Sequence, residues 1–120
     1  MSKKIIFTTG GTGGHIFPAL NLMNHFCDEG YEVLLVTDKR GNKFIKSYPN
    51  FKSYILNTST PTNKKIFNRF FSFFKIFFSI INSIKILKKE KPDLVFGFGG
   101  YVSFPISFSS KFFGIPLIIY

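Results

Sequence analysis

The sequence predicts an α/β protein, a doubly wound, Rossmann-like parallel sheet with helices on both faces. Three observations carry that expectation. Short apolar runs, Ile5-Ile6-Phe7, Val33-Leu34-Leu35-Val36 and Leu94-Val95-Phe96, alternate with stretches whose apolar residues recur every three or four positions. Strands covered on both faces read as such runs, and their alternation with helices requires parallel pairing through crossover connections. Glycine clusters follow the first and fourth strands, and ligands of open parallel sheets bind at the carboxyl ends of the strands.

Residues 4–9 read as a buried strand that runs into the tight turn Gly10-Gly11-Thr12-Gly13-Gly14. A helix follows over about 15–28, with Ile16, Ala19, Leu20, Met23 and Cys27 at helical spacing, Pro18 tolerated in its first turn and Gly30 ending it. Residues 31–37 form a second buried strand, 39–47 a short helix and 51–56 a third, weaker strand; 57–63, rich in Ser, Thr and Pro, form a loop. A long helix covers about 64–89. One stripe on it holds Ile66, Phe70, Phe73, Phe77, Ile80, Ile84 and Leu87, and a second holds Phe67, Phe71, Phe74, Phe78 and Ile81. Together they form an apolar face wider than one sheet contact needs. Lys91-Pro92 ends this helix, because the residue before proline resists helical geometry. A fourth strand over 93–96 closes in Gly97-Phe98-Gly99-Gly100, a helix spans 102–113, and a final buried strand is expected over 115–120. That last run reads as a sheet still continuing, so residues 1–120 are expected to be one domain cut short at its C-terminal end.

Composition narrows the classes. The 120 residues are 45% hydrophobic, enough for a core, with a single cysteine and no C-x-x-C or Cys/His cluster that suggests a metal. Cys27 is expected to be buried as a small hydrophobe. The hydrophobic run after Met1 is too short for a signal peptide. The net charge of +10 favours an anionic partner; between Lys64 and Lys91, eight basic residues face Glu90 alone. Nucleic acid fits poorly, since the aromatics sit in apolar stripes rather than interleaved on a charged surface.

The glycine clusters carry the chemistry. Glycine lets backbone approach a ligand closely, and the N–H groups at a helix start favour phosphate, so a diphosphate-bearing ligand is the natural expectation. The bland alternative is that these glycines only turn the chain. A dinucleotide fingerprint beginning at Gly11 needs glycine where Ile16 stands, although Asp38 sits where a ribose-binding acid belongs.

Gly10-Gly11-Thr12-Gly13-Gly14-His15-Ile16-Phe17-Pro18-Ala19-Leu20, with Gly97-Phe98-Gly99-Gly100-Tyr101-Val102-Ser103 and Gly114-Ile115-Pro116 further on, resembles the MurG family of glycosyltransferases over essentially the whole chain. The first motif is shared more loosely with sterol and diacylglycerol glucosyltransferases; its combination with the second points to the MurG family. The resemblance implies the N-terminal, acceptor-side half of a two-domain GT-B enzyme. Such an enzyme transfers N-acetylglucosamine from UDP-N-acetylglucosamine to the C4 hydroxyl of the muramoyl sugar of lipid I, with inversion and without metal or cofactor. It implies donor contacts from Thr12, Gly13 and Gly14, acceptor contacts from Gly11, Gly99, Gly100 and Tyr101, and His15 as the base. An imidazole suits proton acceptance near neutral pH, and the positive end of a helix dipole disfavours its charged form. The alternatives are that His15 caps the helix or hydrogen-bonds a ligand phosphate; His25 reads as an ordinary surface or partly buried residue.

A lipid-linked acceptor gives the Phe-rich basic helix a second reading. Arg69, Lys75 and Lys85 interrupt it, so it is not a membrane span, but apolar stripes flanked by lysines suit a helix lying on an anionic bilayer. Phe70, Phe71, Phe74, Lys75 and Phe78 are the expected contacts, placing the chain peripherally on the cytoplasmic face of the bacterial inner membrane. The other reading is a core helix with a basic rim. The C-terminal donor domain that the resemblance implies is missing from these residues. The runner-up function is therefore a non-catalytic, acceptor-binding and membrane-recruiting subunit of a split glycosyltransferase.

Overall fold

The computed structural model describes residues 3–10, 13–45, 51–56, 66–99 and 103–120, with backbone alone at 13–15 and 66–72. The elements alternate as expected: β1 (Lys4–Thr8), α1 (Gly13–Asp28), β2 (Glu32–Thr37), α2 (Lys39–Ile45), β3 (Lys52–Ile55), α3 (Ile66–Glu90), β4 (Leu94–Gly97), α4 (Ser103–Phe112) and β5 (Leu117–Ile119). The five strands form one sheet in the order β3-β2-β1-β4-β5, and every pairing is parallel. From β1 the chain first builds outward through β2 and β3. The connection through α3 then returns it to the other side of β1, where β4 and β5 follow.

The pleat divides each apolar run between two cores, because successive strand residues point to opposite faces. Ile5, Phe7, Val33 and Leu35 pack with Ile16, Ala19, Leu20 and Met23 of α1 and Ile45 of α2. Ile6, Leu34, Val36 and Val95 pack with Ile86 and Leu87 of α3 and Ile106 of α4. The helices therefore cover both faces, as the sequence predicts.

Two expectations need correction. The final strand is not buried: β5 is the edge of the sheet, and Ile118 and Ile119 are exposed, since no described strand pairs with its outer side. Cys27 is exposed too. In the last turns of α1 it is Phe26 that reaches the core, its ring 6.0 Å from Phe7 and 5.3 Å from Tyr31. The long helix ends as expected, with Lys91 turning left-handed before Pro92, and its buried face takes Leu87 from the first stripe but none of the phenylalanines at 73, 74, 77 and 78. Ser79, Ser83, Ile86, Leu87 and Glu90 are buried, whereas Phe73, Phe74, Phe77 and Phe78 are exposed. The small serines admit α4: Ser83 Oγ donates back to the Ser79 carbonyl, and Ser109 Oγ lies 3.5 Å from the Ile80 carbonyl. The loop expected over 57–63 and the end of the short helix at 46–47 lie outside the described residues.

At the amino edge of the sheet, the carboxylate of Glu90 joins three elements. It accepts from Lys52 Nζ at 3.0 Å, at the start of β3, and lies 3.8 Å from Lys4 Nζ, at the start of β1. Burial pushes the Glu90 carboxyl upward, but the hydrogen bond from Lys52 and the charges of Lys4, Lys52 and Lys89 outweigh it and hold the group below the ordinary glutamate range. A carboxyl depressed on folding adds stability above its unfolded pKa and loses that contribution as pH falls through the folded value. Glu90→Gln is therefore expected to flatten the acid limb of the stability curve, below the ordinary glutamate range, in urea melts taken across pH. An acid limb identical to wild type would refute this role.

At the opposite edge, α2 rests against the end of β2 through Gly41. A Cβ there would collide with the hydroxyl, Cβ and methyl of Thr37, whose Oγ1 donates to the Thr9 carbonyl at 2.9 Å. Gly41→Ala is expected to destabilise the fold by about 1–3 kcal/mol through overpacking. An unchanged urea midpoint would show that α2 moves aside freely.

Candidate active site

β1 and β4 are neighbours, and their last paired residues are Thr8 and Gly97. Both segments leave the sheet side by side at the point where the strand order reverses, which in open α/β sheets forms the ligand crevice. Beyond that pair the two glycine segments stay joined. Phe98 N–H donates to the Thr8 carbonyl at 2.9 Å, and Gly10 N–H donates to the Gly99 carbonyl at 3.3 Å. Gly99 has φ +88°, a left-handed conformation in which a Cβ would be strained.

Buried hydroxyls brace this edge. Ser103, the first residue of α4, has its Oγ 2.6 Å from the Gly99 carbonyl and 3.1 Å from the Thr8 carbonyl. Thr9 Oγ1 donates to the Gly10 carbonyl at 3.3 Å, while Thr9 N–H donates to the Val36 carbonyl at 3.1 Å. With the Thr37 bond to Thr9, the ends of β1, β2 and β4 are tied together around the crevice. Sequence reasoning assigned no role to Thr9, Thr37 or Ser103; the available signal was a run of hydroxyl residues at strand ends and at a helix start.

The candidate site residues fall as follows. Gly13, Gly14 and His15 open α1, so their backbone forms the helix's first turn directly after the β1 segment. N–H groups in such a turn have no intrahelical acceptor and face outward. Gly99 stands opposite, joined to Gly10. Gly11, Thr12, Gly100 and Tyr101 lie outside the described residues, as does the side chain of His15. Asp38 is occupied locally: Oδ1 accepts from Gly41 N–H at 2.8 Å and Oδ2 lies 3.5 Å from Arg40, so the carboxylate caps α2. His25 is exposed on α1.

A second surface lies on α3 and α4, which pack against each other. Phe73, Phe74, Phe77 and Phe78 are between 53% and 67% exposed, and Lys75, Lys85, Lys88 and Lys89 on the same helix are exposed as well. Phe70 and Phe71 belong to α3, with their side chains outside the described residues. On α4 a further ridge runs along Phe104, Phe108 and Phe112, with ring centroids 5.7 and 5.1 Å apart and all three exposed. That ridge went unread in the sequence, although its four-residue spacing was visible. Among the described residues, no helix is long and apolar enough to cross a membrane.

An open parallel sheet with paired glycine segments at its switch point defines a Rossmann-like ligand-binding domain. The model of the glycosyltransferase family 28 N-terminal domain matches residues 5–120, and the chain belongs to that family. It is 40% identical over 116 residues to the UDP-N-acetylglucosamine–N-acetylmuramyl-(pentapeptide) pyrophosphoryl-undecaprenol N-acetylglucosamine transferase of Wolbachia sp. subsp. Brugia malayi, covering 97% of this chain and 32% of that protein. The transferase of the same name from Prochlorococcus marinus subsp. pastoris is 42% identical over 125 residues, covering 100% of this chain and 33% of the relative. Among solved structures, MurG of Acinetobacter baumannii superposes with a TM-score of 0.83 at 28% identity, covering 98% of this chain and 34% of that one. The chain thus spans about a third of the length of the relatives it matches.

Proposed function

We propose that this chain is the acceptor-side portion of a transferase that moves N-acetylglucosamine from UDP-N-acetylglucosamine to the C4 hydroxyl of the muramoyl sugar of lipid I, yielding lipid II for peptidoglycan synthesis. The observation that carries this reading is the pair of glycine segments hydrogen-bonded across the β1–β4 switch point, in a chain of family 28 whose relatives bear that activity in their names. The C4 oxygen attacks the anomeric carbon of the donor sugar as the bond to UDP breaks, inverting that centre. His15, in the first turn of α1, accepts the C4 proton. Thr12, Gly13 and Gly14 face the donor, while Gly11, Gly99, Gly100 and Tyr101 shape the acceptor side. The donor half of the cleft comes from a C-terminal domain beyond these residues.

The acceptor is lipid-linked, and the exposed phenylalanines of α3, with Lys75, Lys85, Lys88 and Lys89, hold the chain on the anionic cytoplasmic face of the inner membrane. Burying an exposed aromatic in lipid contributes about 1.5–3 kcal/mol, and each surface lysine about 1 kcal/mol beside anionic lipid. The Phe104–Phe108–Phe112 ridge extends the same apolar surface onto α4.

Two experiments test the reading. In a chain joining residues 1–120 to the remaining two thirds of a MurG-type relative, His15→Ala is expected to lower turnover of a lipid I analogue by roughly 10²–10⁴. Turnover near wild type would remove His15 from the chemistry. Replacing Phe74 and Phe78 together with serine is expected to weaken sedimentation with phosphatidylglycerol vesicles about tenfold or more. Lys85→Glu with Lys88→Glu should abolish the salt dependence of binding. If both pairs co-sediment like wild type, α3 does not dock.

A further inference from the structure

The Thr8 carbonyl accepts from Phe98 N–H and faces the Ser103 hydroxyl, while the Gly99 carbonyl accepts from Gly10 N–H and faces that same hydroxyl. Ser103 Oγ thus sits between the carbonyl that ends β1, two residues before Gly10, and the Gly99 carbonyl of the second glycine segment, and its single proton is shared between them. Ser103 is buried, so water does not replace it. Its position is fixed from behind by α4, whose Ile106 is fully buried in the core on the α3 side of the sheet. The Gly10 amide, held by the Gly99 carbonyl, is not available to a ligand, so ligand binding falls to the residues after it.

We propose that Ser103 is a positioning residue that locks the two glycine segments to each other through the Gly10–Gly99 bond, setting the distance between the α1 first turn and the acceptor side of the crevice. Without its hydroxyl, the carbonyl of left-handed Gly99 keeps the 3.3 Å bond from Gly10 as its remaining partner among the described residues. The segments then move independently, and a base on one side meets a sugar held on the other less often. This catalytic consequence rests on the transferase reading; the lock itself does not.

Hydrogen exchange resolved to single amides tests the lock on residues 1–120. Ser103→Ala removes one oxygen and is expected to speed exchange at Gly10 about tenfold, the loss of one buried hydrogen bond, while Ile6 and Leu35 exchange at wild-type rates. Ser110→Ala is the control, because that buried hydroxyl donates within α4 to the Ser107 carbonyl at 2.7 Å. It should leave Gly10 unchanged. Wild-type exchange at Gly10 in Ser103→Ala, equal acceleration by the control, or uniform acceleration through the sheet core would each overturn the lock.

Kinetics of the joined chain test the consequence. Ser103→Ala should lower kcat about tenfold with the donor KM unchanged, since orientation acts on the transition state more than on the bound ground state. An unchanged kcat would overturn the positioning role and leave the transferase reading intact. Absence of transfer by the unsubstituted chain would instead defeat the transferase reading, with the lock still judged by exchange.

Discussion

β1 is hydrogen-bonded to β2 on one side and to β4 on the other, and each side has its own consequence. The pairing with β2 is made by a direct βα crossover and completes the core under α1. The pairing with β4 requires the chain to travel through β3 and the length of α3 before it returns beside its own first strand. That return creates the switch point and brings a glycine segment from near residue 10 against one from near residue 99. Were β4 instead added beyond β3, the same residues would form the same elements with no crevice between the segments. The carboxyl edge of the β1–β4 pair is therefore the constraint on which the site depends.

The two edges of the sheet are held by different chemistry. At the amino edge, a buried carboxylate faces lysines on two strands, an arrangement of charge whose strength changes with pH. Among the described residues, the ties between the carboxyl ends of β1 and β4 are hydroxyls and backbone groups, which carry no formal charge. Thr9, Thr37 and Ser103 make up that neutral brace.

Helix α3 divides its labour along its length. Its C-terminal half supplies Ile86 and Leu87 to the core and Ser79 and Ser83 to the contact with α4. Its phenylalanines at 73, 74, 77 and 78 leave that contact and face outward, so the helix is both a core element and an exposed apolar surface beside a basic last turn. Periodicity made the helix and its wide apolar face visible, and the fold divides that face between Leu87 in the core and the exposed phenylalanines. Ser79 and Ser83 are buried and small, the kind of side chain that lets a neighbouring helix approach, and Ser109 of α4 lies 3.5 Å from the intervening Ile80 carbonyl.

Local chemistry determined much of this protein from the sequence alone: nine elements in their order, the parallel sheet covered on both faces, the glycine segments at strand ends and the family they belong to. Those features depend on neighbours along the chain, through 2.0- and 3.6-residue periods, backbone freedom at glycine and the stop at Lys91-Pro92. Tertiary structure alone decided that β4 lies beside β1, that β5 borders the described sheet, that Phe26 rather than Cys27 closes the end of α1, and that Ser103 joins the end of β1 to the second glycine segment. Each of these joins residues far apart in the chain or depends on where a helix ends relative to the sheet. Such contacts are selected by packing in three dimensions and leave no period in the sequence.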